Sequence, residues 1–234
     1  MATLFIDIQT IPSQNQALIA QLRQSIKPPA NYSHPDSIAK WYRENLKSET
    51  EKKYRQTALD GLHGEIFSIA WALDDGEVIA FWRDAHASER GLLQHFMAEL
   101  ADLEDGCGGR LRITKWVGHF ITGFDLRFIW QRCVINAVKP TVHIPIDAKP
   151  WDDRVFDTKI VWTGAGAGYG QGGLDALAQA LGLNGKAGAD GGQVYDDWLA
   201  GRYDAIADYN RQSVANAREL YRRMNFMPTG EQAA

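Results

Sequence analysis

The run EIFSIAWAL (65–73), the turn Asp74-Asp75-Gly76 and the run EVIAFWRD (77–84) constrain this chain more than any other stretch. An Asp-Gly turn between two β-rich segments is a strong hairpin signal, so it fixes one pair of antiparallel neighbours. TLFIDI (3–8) precedes it as a buried strand. After it the pattern alternates. Ser88 caps a helix with Leu92, Leu93, Phe96, Leu100 and Leu103 on one face, and then comes the strand RITKWVG (112–118). DLRFIWQRCVI (125–135) reads as a helix, FDTKIVW (156–162) as a strand, and LDALAQALGL (174–183) as a helix ending at Gly182. A last helix covers about 203–224. Between the first strand and the hairpin, SQNQALIAQLRQSI (13–26) reads as a short helix capped by Ser13. Residues 27–37 carry Pro28, Pro29 and Pro35 as a loop, and 38–59 form a charged helix.

A hairpin followed by strand–helix alternation predicts an α/β fold with a mixed sheet and helices on its faces. A ribonuclease-H-like sheet of five strands fits the order. The expectation is a single domain over 1–234 with a helical insertion at about 27–60. Hydrophobic residues make up 45% of the chain, enough for a substantial core. The net charge of −4 argues against coat-like binding of nucleic acid but leaves room for a local cationic groove. Cys107 and Cys133 make no disulfide framework, and no basic segment precedes the first strand. No apolar run is long enough to span a membrane, so a cytoplasmic setting without a membrane partner is expected.

Three places carry the chemistry. FIDIQT puts one acid, Asp7, and two residues later an amide, Gln9, on an apolar strand. GHFITGFDLRFIW (118–130) puts Asp125 where a loop enters a helix. It is either a helix N-terminal charge or a metal ligand aimed at the end of the first strand. YNRQSVANARELY (209–221) puts Tyr209 and Ser213 four apart on one helical face, with Asn216 three further on. That reads either as a polar surface stripe or as part of a site.

Together FIDIQT, GHFITGFD and YNRQS resemble the three motifs of the tyrosine-bearing branch of the DEDD-type 3′–5′ exonucleases. The likeness is to predicted exonucleases related to the proofreading domain of family-B DNA polymerases. RQTALDGLHGEIFSIAWAL (55–73), FDTKIVW and LDALAQALGLNGKAGADGGQV (174–194) resemble that group as well, so the likeness runs from about residue 3 to 224. The resemblance implies hydrolysis of single-stranded DNA or RNA from its 3′ end by two Mg²⁺ or Mn²⁺ ions held by four carboxylates. Such a clamp serves phosphodiester cleavage because charge builds on both the attacking and the leaving oxygen. It implies that Asp7 bridges the metals, that Asp125 serves the leaving-group metal and that Tyr209 orients the water. Thr10, His119, Phe120 and Phe124, beside these positions, become the substrate-contacting candidates.

This chain departs from the pattern at three positions. Gln9 stands where the family has Glu, Ser213 where it has Asp, and Phe120 where it usually has Asn. Four carboxylates fall to two, and neutral oxygens bind divalent ions weakly. The expectation is one bound ion or none, and hydrolysis strongly impaired or absent. A non-catalytic nucleic-acid- or protein-binding module on the same fold is the alternative. Restoring Gln9→Glu and Ser213→Asp separates missing ligands from other defects.

Other motifs are weaker. Gly168-Tyr-Gly170-Gln-Gly172-Gly173 satisfies G-x-G-x-x-G but does not follow a strand directly, so a flexible loop is the better reading. Lys40-Trp41-Tyr42-Arg43 and Lys52-Lys53-Tyr54-Arg55 interleave cations and rings as single-strand binders do, though Glu44, Glu49 and Glu51 dilute them. The six histidines lack metal-binding spacing.

Overall fold

The computed structural model describes residues 2–84, 88–106, 112–149, 151–164, 172–183 and 191–227. Five strands, β1 (Ala2–Ile11), β2 (Glu65–Leu73), β3 (Ile79–Trp82), β4 (Ile113–Gly118) and β5 (Val155–Asp157), form one sheet in the order β3-β2-β1-β4-β5. The β1–β2 and β2–β3 pairs are antiparallel, and the β1–β4 and β4–β5 pairs are parallel. The hairpin thus supplies the antiparallel edge of a ribonuclease-H-like mixed sheet, as its sequence requires.

Alternation along β1 divides the core. Leu4, Ile6 and Ile8 face α3 (Glu89–Gly106) and α4 (Asp125–Ile135), packing with Leu93, Phe96, Leu126 and Ile129. Phe5 faces the other way, toward Ala207 and Val214 of α8 (Tyr203–Met224). Ala70, Ala72 and Ala80 line that second face, and their small side chains let α8 lie close across the sheet. One extra residue, Phe67, enters β2 between the pairs Gln9↔Ser68 and Thr10↔Ile66. This bulge turns Phe67 toward Ile206 and Val194, the latter on α7 (Val194–Leu199).

Several local expectations are corrected. The β-branched run after Phe156 is not strand. Asp157 accepts the N–H groups of Lys159 and Ile160, ends β5 and starts α5 (Thr158–Thr163). The early helix α1 (Gln16–Ser25) is capped by Asn15, not Ser13. Ser13 is buried, its N–H held by Thr57 Oγ1 and its carbonyl by the Tyr54 hydroxyl. The charged helix α2 runs Pro35–Gln56, with Trp41 and Tyr54 buried rather than displayed for stacking. The helix at 174 is α6 (Leu174–Ala180), and Gly182 follows it at φ +67°. The glycine-rich stretch at 165–171, Cys107 and Lys186 lie outside the described residues.

Candidate active site

Beyond Phe5↔Val117 the β1–β4 ladder stops, because β4 ends at Gly118. Gly118 lies so close to the Ile6 carbonyl and to Ile121 that a side chain there would collide with both, and the ladder with β1 ends before it. The fork leaves the Ile8 N–H without a strand partner on that side. Asp125 Oδ1 accepts it at 2.9 Å, from the first residue of α4. Asp125 is 3% exposed. Burial pushes its carboxyl well above the usual carboxylate range, with the charges of Asp7 and Asp157 adding to the effect, while N–H bonds from Ile8 and its own backbone oppose it.

Asp7 and Gln9 share the α8 face of β1, as the strand period requires. Gln9 is buried, and its Nε2 donates to Asp7 Oδ2 at 2.7 Å. Above them runs α8. Its Asn210 Nδ2 donates to Ser68 Oγ at 2.9 Å, and Ser68 is the cross-strand neighbour of Gln9. Ser213, one turn on, is 2% exposed, while half-buried Tyr209 packs with Ile11, Phe67 and Ile206. Asn210, Ser213 and Asn216 are all buried, so this row is not a solvated stripe. Thr10, past the bulge, donates its hydroxyl to the Ala58 carbonyl at 2.6 Å.

The loop that delivers Asp125 is organised by a residue outside the three motifs. Asp157 accepts from Phe120 N at 2.8 Å, Thr122 N at 3.0 Å and Thr122 Oγ1 at 2.6 Å. An acid at a strand end followed by a helix is an N-cap signal, and this was the clue available in FDTK. Phe120 sits at φ +65°, a left-handed conformation that asparagine tolerates and phenylalanine does not favour. Its ring lies on Gly123 and under Lys159 Nζ, 4.6 Å from the ring centre. His119 Nδ1 lies 3.0 Å from Thr158 Oγ1. Burial lowers its pKa to about 4, against the pull of Asp157. Phe124 packs on Phe128 at 5.1 Å.

These donors do not fit a pair of divalent ions. Among the described residues no group of three or more His, Cys, Asp or Glu side chains is placed to hold a metal. One oxygen of Asp7 already receives an amide N–H, one oxygen of Asp125 receives a backbone N–H, and burial favours the proton on Asp125. Gln9 and Ser213 add only neutral oxygens.

Comparison with solved structures finds the family B DNA polymerase from the hyperthermophilic archaeon Pyrobaculum calidifontis, at a TM-score of 0.58 and 14% identity. The match covers 96% of this chain and 24% of the polymerase chain, and at that identity the likeness is one of fold. No curated protein sequence matches the chain. A family model described as a predicted 3′–5′ exonuclease related to the exonuclease domain of PolB matches residues 66–232, a span that includes Asp125, Tyr209 and Ser213 and begins after β1. With most of its length matched, the chain belongs to the family of predicted 3′–5′ exonucleases related to the exonuclease domain of PolB.

Proposed function

We propose that this chain is an exonuclease-fold module that engages single-stranded 3′ ends of DNA or RNA and hydrolyses them far more slowly than a site with four carboxylates would. The observation that carries the reading is the 2.7 Å hydrogen bond from Gln9 Nε2 to Asp7 Oδ2. A donor stands beside Asp7 where a second acid would be needed, and Ser213 makes the same neutral replacement on α8. Asp7 and Asp125 hold at most one Mg²⁺ or Mn²⁺, through carboxylate oxygens of the kind those ions prefer. Tyr209 orients a water but cannot ionise it, and water without activation is a poor nucleophile at neutral pH. Thr10, His119, Phe120 and Phe124 form the rim against which the terminal nucleotide rests.

The test uses labelled single-stranded DNA and RNA with Mg²⁺ or Mn²⁺. The expected result is binding with little or no 3′ trimming, and clear trimming after Gln9→Glu and Ser213→Asp are made together. Brisk trimming by the unaltered chain would show that the ligands are misassigned. Loss of all oligonucleotide binding in the presence of chelator would favour a protein-binding role.

A further inference from the structure

Helices α1 and α2 pack side by side and leave an open groove of about 740 Å³. Ile19, Leu46 and Tyr42 supply its apolar surface, and Arg23, Arg43 and Lys47 its charge. The α2 residues recur at helical spacing, so they form one stripe facing α1. None of the three cations has an ion-pair partner among the described residues, and the acid in the groove, Glu51, is held by Arg55 Nε at 2.8 Å. A chain of net charge −4 therefore displays an uncompensated positive track here.

The end of α2 that follows the stripe meets β1, the strand that carries Asp7. The end of α2 is fastened to β1 and the segment after it: Ala58 O accepts from Thr10 Oγ1, Thr57 Oγ1 accepts from Ser13 N, and the Tyr54 hydroxyl donates to Ser13 O. At about 1.5 Å per residue, the stripe from Glu51 back to Tyr42 lies roughly 10 to 24 Å from Ala58 along the helix. The Tyr42 ring is fixed, edge-on to Trp41, with its hydroxyl donated to the Ile26 carbonyl.

We infer that the α1–α2 groove holds the 5′-ward continuation of the single strand whose 3′ end rests at Asp7 and Asp125. This rests on the proposed 3′-end binding. Single strands are held by cations that track the backbone and by surfaces on which bases lie. Asp7 lies three strand residues, about 10 Å, beyond the Thr10–Ala58 contact, so at about 3.4 Å per stacked nucleotide the groove meets nucleotides roughly 6 to 10 from the end. A lone phosphate would use the cations but not the apolar surface. An acidic helical peptide would use both, but it has no reason to be aligned with the site.

The experiment measures anisotropy of labelled oligothymidylates of 4 and 10 nucleotides with the full chain in EDTA, across a salt series. The longer strand is expected to bind at least tenfold more tightly. Arg23→Gln/Arg43→Gln/Lys47→Gln should bring it down to the affinity of the shorter one and reduce its log–log salt slope by about 2, three contacts at about 0.7 each. All three side chains are exposed, so folding should survive, and Arg90→Gln/Lys139→Gln/Lys149→Gln makes the same charge change elsewhere. Binding of the 4-mer with no gain at 10, or an equal loss in the control triple, overturns the groove assignment and leaves 3′-end binding standing. Failure of both lengths to bind overturns both. An acidic helical peptide captured by the unaltered chain and not by the groove triple, with no length effect, assigns the groove to a protein and overturns the inference.

Discussion

Helix α4 has charged groups buried near both ends, and they are settled in opposite ways. Toward its C-terminal end, Arg132 meets Glu89 in a forked pair with contacts of 2.7 to 3.1 Å. Both are at most 6% exposed. Every strong donor there has an acceptor. Glu89 also takes Ile66 N and Asn136 Nδ2, and Arg132 also reaches Gly61 O. At its N-terminal end Asp125 lies near enough to Asp7 for the two like charges to oppose each other. Asp7 accepts the Gln9 amide, and burial holds the Asp125 carboxyl above the usual carboxylate range. The lesson is that burial alone does not mark a functional charge: the Arg132 end is a matched ion pair, while the Asp125 end brings like charges together.

The contrast breaks most visibly at the paired end. Arg132→Met leaves Glu89 buried without its cation and should cost about 3–5 kcal/mol, read as a lower urea midpoint. A loss under about 1 kcal/mol would show that the pair is not a brace. Gln9→Glu should cost about 2 kcal/mol in chelator, because a third carboxylate joins the cluster. Mn²⁺ should restore part of that melting temperature, and a melting temperature indifferent to Mn²⁺ would mean that these oxygens do not converge on an ion.

Asp125→Asn keeps an acceptor for Ile8 N–H and removes the raised acid, so it should stabilise the fold by about 1–2 kcal/mol at neutral pH in chelator. The pH dependence fixes the sign. The native carboxyl keeps a proton that the unfolded chain releases near the ordinary Asp range, so stability falls as pH rises from there through the raised value. The variant should lose that fall, and an unchanged pH profile of the melting temperature would refute the assignment. Phe120→Asn gives the φ +65° position a residue that tolerates it, and should add less than about 1 kcal/mol after the lost contact with Lys159. A drop in melting temperature would show that the ring contact outweighs the strain.

How far the sequence could be read depended on what decides each element. α4 and α8 match their apolar spacing closely because long periodic faces must be buried. The hairpin was legible from its turn. TKIVW misled because its β-branched residues favour strand, whereas the Asp157 cap decides the matter locally. The six-residue VYDDWL helix (α7) is too short to show a period. In the site, the shared face of Asp7 and Gln9 followed from alternation. The burial of Asn210 and Asn216 did not, since polar residues on a helix normally face water. Nothing in the spacing of FDTK and GHFITGFD, nearly forty residues apart, says that Asp157 holds Phe120 and Thr122.

The fork between β1 and β4 also gives the molecule an internal reporter. The Ile8 amide is shielded on that side by a side chain 117 residues away rather than by a neighbouring strand. Its exchange with deuterium therefore measures how long Asp125 stays in place, independently of the rest of the ladder. A ligand that pulls Asp125 Oδ1 off the Ile8 N–H would speed that exchange, whereas one held by the other oxygen alone would leave it slow. One backbone resonance thus tells whether a ligand moves this carboxylate, whether or not a bond is ever cut.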